Sequence, residues 1–434
     1  MTAIDELLKQ RHDQGNPIKI ALVGAGAAAK MIALHLLVAP PKGIRLVAIG
    51  NRTLAHAQQA FADAGVRSVT TATSVGALDG AIAKGGAAVT DNGLLVCEAS
   101  NVDAIVDCTG TVEYGARLAT FAIQNRKHVI LVNSELDATL GPILKVQADR
   151  AGITLTNADG DEPGVAMTLL RYLRSIGLKP VAAGNLKGMV DRYRTPETQR
   201  GFAAEYSMNP NIVTSFADGT KLAMEATVLA NATGFKVGKR GMYGPPCAHV
   251  KEIVNHLPLN QLLDGGLVDY ALGAEPYTGA FVVVHEEHPL KQKHLGYLKM
   301  GKGPLYVFYT PFHLPHIQLA STLGRAVLAQ DATVAPLGGP VCEVATMAKK
   351  ALKRGEILDG VGGFAAYGVI ENSPVFNADD LLPMGLSEGC RLTRDVSKDE
   401  PIRCADVEFP AGRFSDKLHA EQKDHFSSPA ASRR

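Results

Sequence analysis

The sequence predicts an α/β protein in three folded parts: an N-terminal doubly wound sheet, an α+β middle, and a small β-rich region towards the C-terminus. Three observations carry this. A strand, a glycine turn and a helix follow one another from Pro17 in "PIKIALVGAGAAAKMIALHLLV". Strand-like and helix-like periods then alternate to about residue 155, the order of a parallel sheet with helical crossovers. From about residue 336 the chain becomes turn-rich with short apolar runs. A chain of 434 residues exceeds one ordinary core. The expected divisions are 1–155, 156–335, 336–412 and a mobile tail at 413–434.

Composition narrows the classes of function. Hydrophobic residues make up 46% and charged residues 20%, as in a globular protein. A formal net charge of +1 provides no broad basic field for nucleic acid or an anionic membrane. The six cysteines are scattered, without a CxxC pair or zinc-type spacing, and read as free thiols in a reducing compartment. The N-terminus "MTAIDELLKQRHDQG" lacks the apolar run of a signal peptide, and no segment reaches the ~20 apolar residues that span a bilayer. A cytoplasmic location is the expectation.

In the first part, Ile18 to Val23 form the strand, and the turn that follows has the spacing of a dinucleotide-binding fold. Gly24 permits the tight turn, and Gly26 lets a pyrophosphate approach the backbone amides around Ala27 at the helix start. Ala29 stands at the third fingerprint position, where helix and strand pack closely. The strand before and the helix after supply the context that a bare glycine pattern lacks. These residues define a Rossmann-type domain.

The second strand, in "IRLVAIGNRT", ends without the acidic residue that binds a ribose 2'-hydroxyl. Asn51, Arg52 and Thr53 stand there instead. A carboxylate would repel a 2'-phosphate, whereas a guanidinium pairs with it, so NADP(H) is predicted over NAD(H). Later strand ends place Asp107, Thr109 and Gly110, then Asn133, Ser134 and Glu135, along the edge that lines a cofactor crevice. Thr109 and Gly110 are expected to border the cofactor, with Asn133 and Glu135 nearer the nicotinamide. Helix capping is the competing reading for each polar residue.

The stretch "NADGDEPG", from Asn157 to Gly164, gathers Asp159, Asp161 and Glu162 in one turn between a short strand and an amphipathic helix. A helix start explains one carboxylate. Three in four positions repel one another unless something positive joins them, and oxygen ligands on a short turn suit Mg2+ or Mn2+. Downstream, "VAAGNLKGMVDRYRTPE" offers Asn185, Lys187, Arg192 and Arg194, read either as ligands for anions or as solvated loop cations. Lys221 and Glu225 share one helix face, as an ordinary surface pair or as part of a site. His313 and His316 sit between prolines before a helix, open to substrate binding or to packing.

The segments "GAGAAAKMIALHL", "TNADGDEPGV", "GNLKGMVDRYRTPET", "FADGTKLAMEATVLAN" and "PFHLPHIQLASTLGRAVL" resemble the homoserine-dehydrogenase-like oxidoreductases that carry a C-terminal SAF domain. Within them the chain looks most like the 1-deoxy-D-xylulose 5-phosphate reductoisomerase-like group. The resemblance runs from the glycine turn to about Phe409. It implies an NADPH-dependent, divalent-metal-assisted conversion of 1-deoxy-D-xylulose 5-phosphate, a phosphorylated ketose, to 2-C-methyl-D-erythritol 4-phosphate in isoprenoid precursor synthesis. It further implies a homodimer built on a catalytic and dimerisation domain, with a SAF-like domain behind it. By the same resemblance, Asp159, Asp161 and Glu162 are metal ligands and Lys221 and Glu225 are catalytic; Lys187, Arg192 and Arg194 are the candidates beside them for phosphate or metal-side anions, with solvated loop cations as the competing reading. The spacing from Lys221 to Glu225 is one residue longer than in the standard reductoisomerase. "VNSELD" occupies the loop where homoserine dehydrogenases carry a lysine.

The C-terminal part contains a faint internal echo between "LKRGEIL" and "VSKDEPI". It has no catalytic constellation of its own. Two other functions compete with the implied one. The first is a dehydrogenase of homoserine or a polyhydroxy acid acting without rearrangement. The second is a sensor that binds NADP(H) and catalyses nothing.

Overall fold

A computed structural model describes residues 4–427. The chain forms two compact units. The first runs to Asp161 and takes in Leu314–Ala335 and the segment from Phe414; the second comprises Glu162–His313 and Pro336–Arg413.

The first unit is the doubly wound sheet that the glycine turn predicts. Its strands are β1 (Ile18–Val23), β2 (Ile44–Gly50), β3 (Thr70–Thr71), β4 (Ala88–Thr90), β5 (Ala104–Asp107), β6 (His128–Leu131) and β7 (Leu155–Asn157). They lie in the order β3-β4-β2-β1-β5-β6-β7, and every pairing is parallel. Strands buried on both faces read as unbroken apolar runs, as "IALV" in β1 does. The helix Ala27–Val38 buries Ala29, Ile32, Ala33 and Leu36, spaced by three, one and three residues along one face.

The stretch 314–335, expected within the middle part, belongs with this first unit. Its helix Pro315–Leu328 places Leu319, Leu323 and Ala326 in the same core as Ile20, Leu22 and Ile32. Their spacing of three to four residues is legible in the sequence, but which sheet they cover is not.

The expected mobile tail is also corrected. Residues Phe414–Ser427 form a helix, with Leu418 and Gln422 buried; the last residues, 428–434, lie outside the described chain. Pro142 sits inside the helix Ser134–Ala151, where its ring disturbs the regular ladder. The Gln422 amide fits that defect: its Oε1 accepts the Ile143 N–H at 3.1 Å and its Nε2 donates to the Thr139 carbonyl at 3.1 Å. Those two backbone groups would bond directly in an unbroken helix. The Glu113 carboxylate accepts the N–H groups of Phe414 and Ser415 at 3.1 and 2.8 Å, anchoring the helix start.

The second unit holds a mixed sheet of β8 (Lys179–Lys187), β9 (Leu267–Leu272), β10 (Ala280–His285) and β11 (Leu305–Thr310), ordered β11-β10-β8-β9. Val181, Leu186, Phe281 and Val283 join Val250, Ile253 and Leu262 in its core. Towards the C-terminus, β12 (Cys342–Ala348) pairs antiparallel with β13 (Ala366–Asn372), and β14 (Arg391–Leu392) with β15 (Val407–Glu408). The sequence echo has a structural counterpart here. Its first residues, Leu352 and Val396, bond to each other through both backbone groups, at 2.9 and 3.0 Å. Each copy then closes a turn with its glutamate, Glu356 on the Lys353 N–H and Glu400 on the Ser397 N–H.

All six cysteines are free thiols. No helix among the described residues is long and apolar enough to cross a membrane.

Candidate functional site

In the first unit, the turn after β1 has the form that a dinucleotide needs. Gly24 has φ +104°, and a Cβ there would fall 2.6 Å from the Cys108 carbonyl oxygen, so only glycine fits. Gly26 precedes the helix at Ala27, and a Cβ on it would meet nothing within 4 Å, leaving open space above the helix N-terminus. That opening, with first-turn N–H groups unsatisfied by the helix itself, fits a pyrophosphate. Asn51 serves the turn: its Oδ1 accepts the Ala25 N–H at 3.0 Å and its Nδ2 donates to the Thr53 carbonyl at 2.8 Å. Arg52 and Thr53 are exposed beside it.

At the ends of β5 and β6 the polar residues serve one another. Asp107 is buried and accepts from the Thr109 N–H and Oγ1 at 2.8 and 2.7 Å, and from the Asn133 Nδ2 at 2.9 Å. Burial pushes its carboxyl above the usual range, against the pull of those donors. Asn133 caps the helix Ser134–Ala151 through the Leu136 N–H, so for this residue the capping reading holds. Gly110 has φ +63° in open space, and Glu135 is buried.

The acidic turn does not assemble as a cation site. Asp159 turns onto its neighbour, Oδ1 accepting the Gly160 N–H at 2.9 Å. Asp161 Oδ2 accepts from Ser134 Oγ at 2.6 Å. Glu162 accepts from Lys187 Nζ at 2.7 and 2.6 Å. Each carboxylate therefore has its own donor, and these replace the shared cation that the sequence pattern suggested. Among the described residues no group of three or more His, Cys, Asp or Glu is disposed to hold a metal ion. The residues present do not fit Mg2+ or Mn2+.

The chemistry of the second unit gathers around Lys187, the last residue of β8. Its ammonium lies between Glu162, at the start of the helix Glu162–Ser175, and Glu225 Oε2 at 3.3 Å, on the helix Thr220–Thr233. Strand alternation brings Asn185 to the same side as Lys187. Its Nδ2 donates to Glu162 Oε2 at 3.3 Å and Glu225 Oε2 at 3.1 Å, while its buried Oδ1 has no partner in the described chain. The Glu162 and Glu225 side chains are each 4% exposed and that of Lys187 20%, so both carboxylates are shielded from solvent.

Burial raises the Glu225 carboxyl to about 8, with the Glu162 charge adding and the Lys187 and Lys221 cations opposing. For Lys187 burial works against the ammonium, but the two carboxylates outweigh it and hold its pKa above the usual lysine value. The cluster thus keeps a protonated amine next to an acid that titrates near neutrality, the combination that proton transfer requires.

The structure does not draw the two arginines into this cluster. Arg194 pairs with Asp191 at 2.9 Å on a half-exposed loop. The Arg192 guanidinium lies 5.6 Å from the centre of the Tyr367 ring and lines, with Asp218 and Tyr270, a cavity of about 30 Å³. That is room for about one water. Lys221 acts on Glu225 through its charge. His316 belongs to the first unit and His313 to the second. Sequence reasoning missed Lys349: its ammonium is buried on Asp218 Oδ2 at 2.9 Å and on the carbonyls of Arg194 and Gly363. All three of its protons are used, which makes it structural.

Comparison with known proteins matches residues 160–319 to the family described as "Oxidoreductase DRL, catalytic domain". No curated protein matches the chain. Among solved structures, an NAD-binding oxidoreductase from Klebsiella pneumoniae aligns at 18% identity over 40% of this chain and 43% of its own, with a TM-score of 0.28. This chain therefore spans less than half the length of that relative. A protein from Thermotoga maritima described as a probable dehydrogenase aligns at 13% identity over 74% and 91% of the two chains, with a TM-score of 0.43. A scyllo-inositol dehydrogenase from Lactobacillus casei, solved with NAD(H) and scyllo-inositol, aligns at 14% identity over 62% and 74%, with a TM-score of 0.36. At such identities and scores these likenesses say nothing of substrate.

The comparisons correct the resemblance drawn from the sequence. The matched family is described as an oxidoreductase, not as a 1-deoxy-D-xylulose 5-phosphate reductoisomerase. The isomerase activity and the place in isoprenoid synthesis fall with it. The coarser statement stands: residues 160–319 match an oxidoreductase catalytic domain.

Proposed function

We propose that the chain is an NAD(P)-dependent dehydrogenase that interconverts a hydroxyl and a carbonyl group without rearranging the carbon skeleton. The observation that carries this is Lys187, a protonated amine held between Glu162 and Glu225. Nucleotide binding is assigned to Gly24, Gly26 and Ala27, with Arg52 selecting the 2'-phosphate of NADP(H).

A bound nicotinamide supplies or accepts the hydride. The chain's residues handle the accompanying proton. In the reducing direction Lys187 Nζ would give a proton to the substrate's carbonyl oxygen, leaving a neutral amine. Glu225 restores the ammonium from its own carboxyl group. Glu162 holds the amine in place, and the Asn185 amide ties the Glu162 and Glu225 carboxylates together. The substrate class proposed is a hydroxy acid or polyol and its keto form.

The test is reduced-nicotinamide consumption by the full-length protein against a panel of keto acids and keto polyols, with homoserine and polyols in reverse. Turnover of at least one pair, lost in Lys187→Met with NADPH binding intact, is the expected result. Tight NADPH binding with no turnover across the panel would point to a sensor instead.

A further inference from the structure

An open hollow lies at the far end of the mixed sheet in the second unit. The helix Pro289–Tyr297 leaves β10, and the chain then curls back to β11. Lys299, Gly301 and Gly303 all have positive φ, at 66°, 116° and 74°. The curl is tied to the helix end: the Lys299 N–H donates to the Gly296 carbonyl at 3.1 Å and the Met300 N–H to the Leu295 carbonyl at 3.0 Å. Between helix and curl lies an open hollow of about 580 Å³ lined by Gln292, Lys293, Lys299 and Lys302.

Three ammonium groups border this hollow with no carboxylate among its lining residues. The nearby acids are engaged elsewhere, Glu286 with Lys291 at 2.9 Å and Glu287 with Lys179 at 3.7 Å. No ion pair joins Lys293, Lys299 or Lys302 to any described residue. A helix C-terminus attracts cations, but its dipole amounts to only about half a negative charge. Three full charges around one hollow exceed what the dipole neutralises, and their mutual repulsion is relieved by an anion.

The hollow is separate from the Lys187 cluster. In the register of β8 against β10, Lys179 pairs with His285 and Asn185 with Ala280. The helix and curl follow His285, so they lie at the Lys179 end. Six residues of strand, at about 3.3 Å each, put roughly 20 Å between that end and Asn185.

We propose that this hollow binds a small phosphate-bearing anion, a site distinct from the proton-handling cluster and independent of the dehydrogenase reading. Lysines act on phosphate as point charges from several sides.

The probe is inorganic pyrophosphate, titrated calorimetrically into the full-length protein saturated with NADPH, so that the glycine turn is already filled. Saturable binding is expected, weakened at least tenfold in the Lys293→Gln, Lys299→Gln, Lys302→Gln triple variant, whose circular dichroism and melting match the parent. Absence of binding in the parent, or equal binding in the variant, overturns the proposal. A third arm uses phosphatidylserine vesicles, because Leu290, Tyr297 and Leu298 are exposed nearby. Vesicle binding without pyrophosphate binding overturns it in favour of a membrane surface.

Discussion

Lys187 and Glu225 meet at 3.3 Å although 38 residues separate them, one ending a strand and the other inside a helix. Because Glu225 is pushed up to about 8 from an ordinary 4.5, the folded state holds a proton there that the unfolded chain releases. Its contribution is therefore fully present below about 4.5 and is lost as pH rises towards about 8. Glu225→Gln is expected to flatten the fall in stability across that window, measured by urea unfolding at several pH values. An unchanged slope would place the proton elsewhere.

Lys187→Met removes the proposed proton donor. Turnover is expected to fall by roughly 10² to 10⁴, the usual contribution of general acid catalysis. Nucleotide affinity, read by fluorescence titration, is expected to stay within about twofold, since the nucleotide is assigned to other residues.

The two glycines of the turn separate stability from binding. Gly24→Ala forces a Cβ to within 2.6 Å of the Cys108 oxygen at positive φ, a strain of about 1–3 kcal/mol visible as a lowered melting temperature. Gly26→Ala meets nothing within 4 Å, so folding is expected to be nearly unaffected while NADPH affinity drops as the new methyl fills the open space. Equal effects of both changes on melting would remove the distinction.

Arg52 is exposed next to Asn51. A charge-assisted hydrogen bond to the 2'-phosphate contributes about 1.5–3 kcal/mol, so Arg52→Ala is expected to weaken NADPH by ten- to a hundredfold and leave NADH nearly unchanged. Parallel titrations of the two cofactors decide this.

Gln422 bridges the Ile143 N–H and the Thr139 carbonyl beside Pro142. Gln422→Ala leaves two buried backbone groups unpaired, at about 1–3 kcal/mol each. Chemical denaturation is expected to report a loss of about 2–6 kcal/mol, larger than for Glu421→Ala on the exposed face of the same helix.

Much of the first unit was legible in the residues. The apolar run of β1, the glycine turn and the apolar spacing of the helix Ala27–Val38 are local signals, and the parallel sheet follows from their alternation. The acidic turn was legible as a concentration of charge but not in its use. Its three carboxylates look equivalent in sequence, yet Asp161 goes to Ser134, 27 positions away, and Glu162 to Lys187, 25 away. The helix Phe414–Ser427 was missed because few of its residues are apolar; its anchor is an amide that repairs another helix.

The sequence by itself determined the strand, glycine turn and helix that open the first unit and the chemical types available to a site, because these depend on residues within a few positions of one another. Only the tertiary structure decided that Lys187 would lie between Glu162 and Glu225, and that the turn's carboxylates would each find a private donor. Strand register and helix packing select such partners across 25 to 38 residues of chain, and the burial that shifts Glu225 exists only once those elements have closed over it.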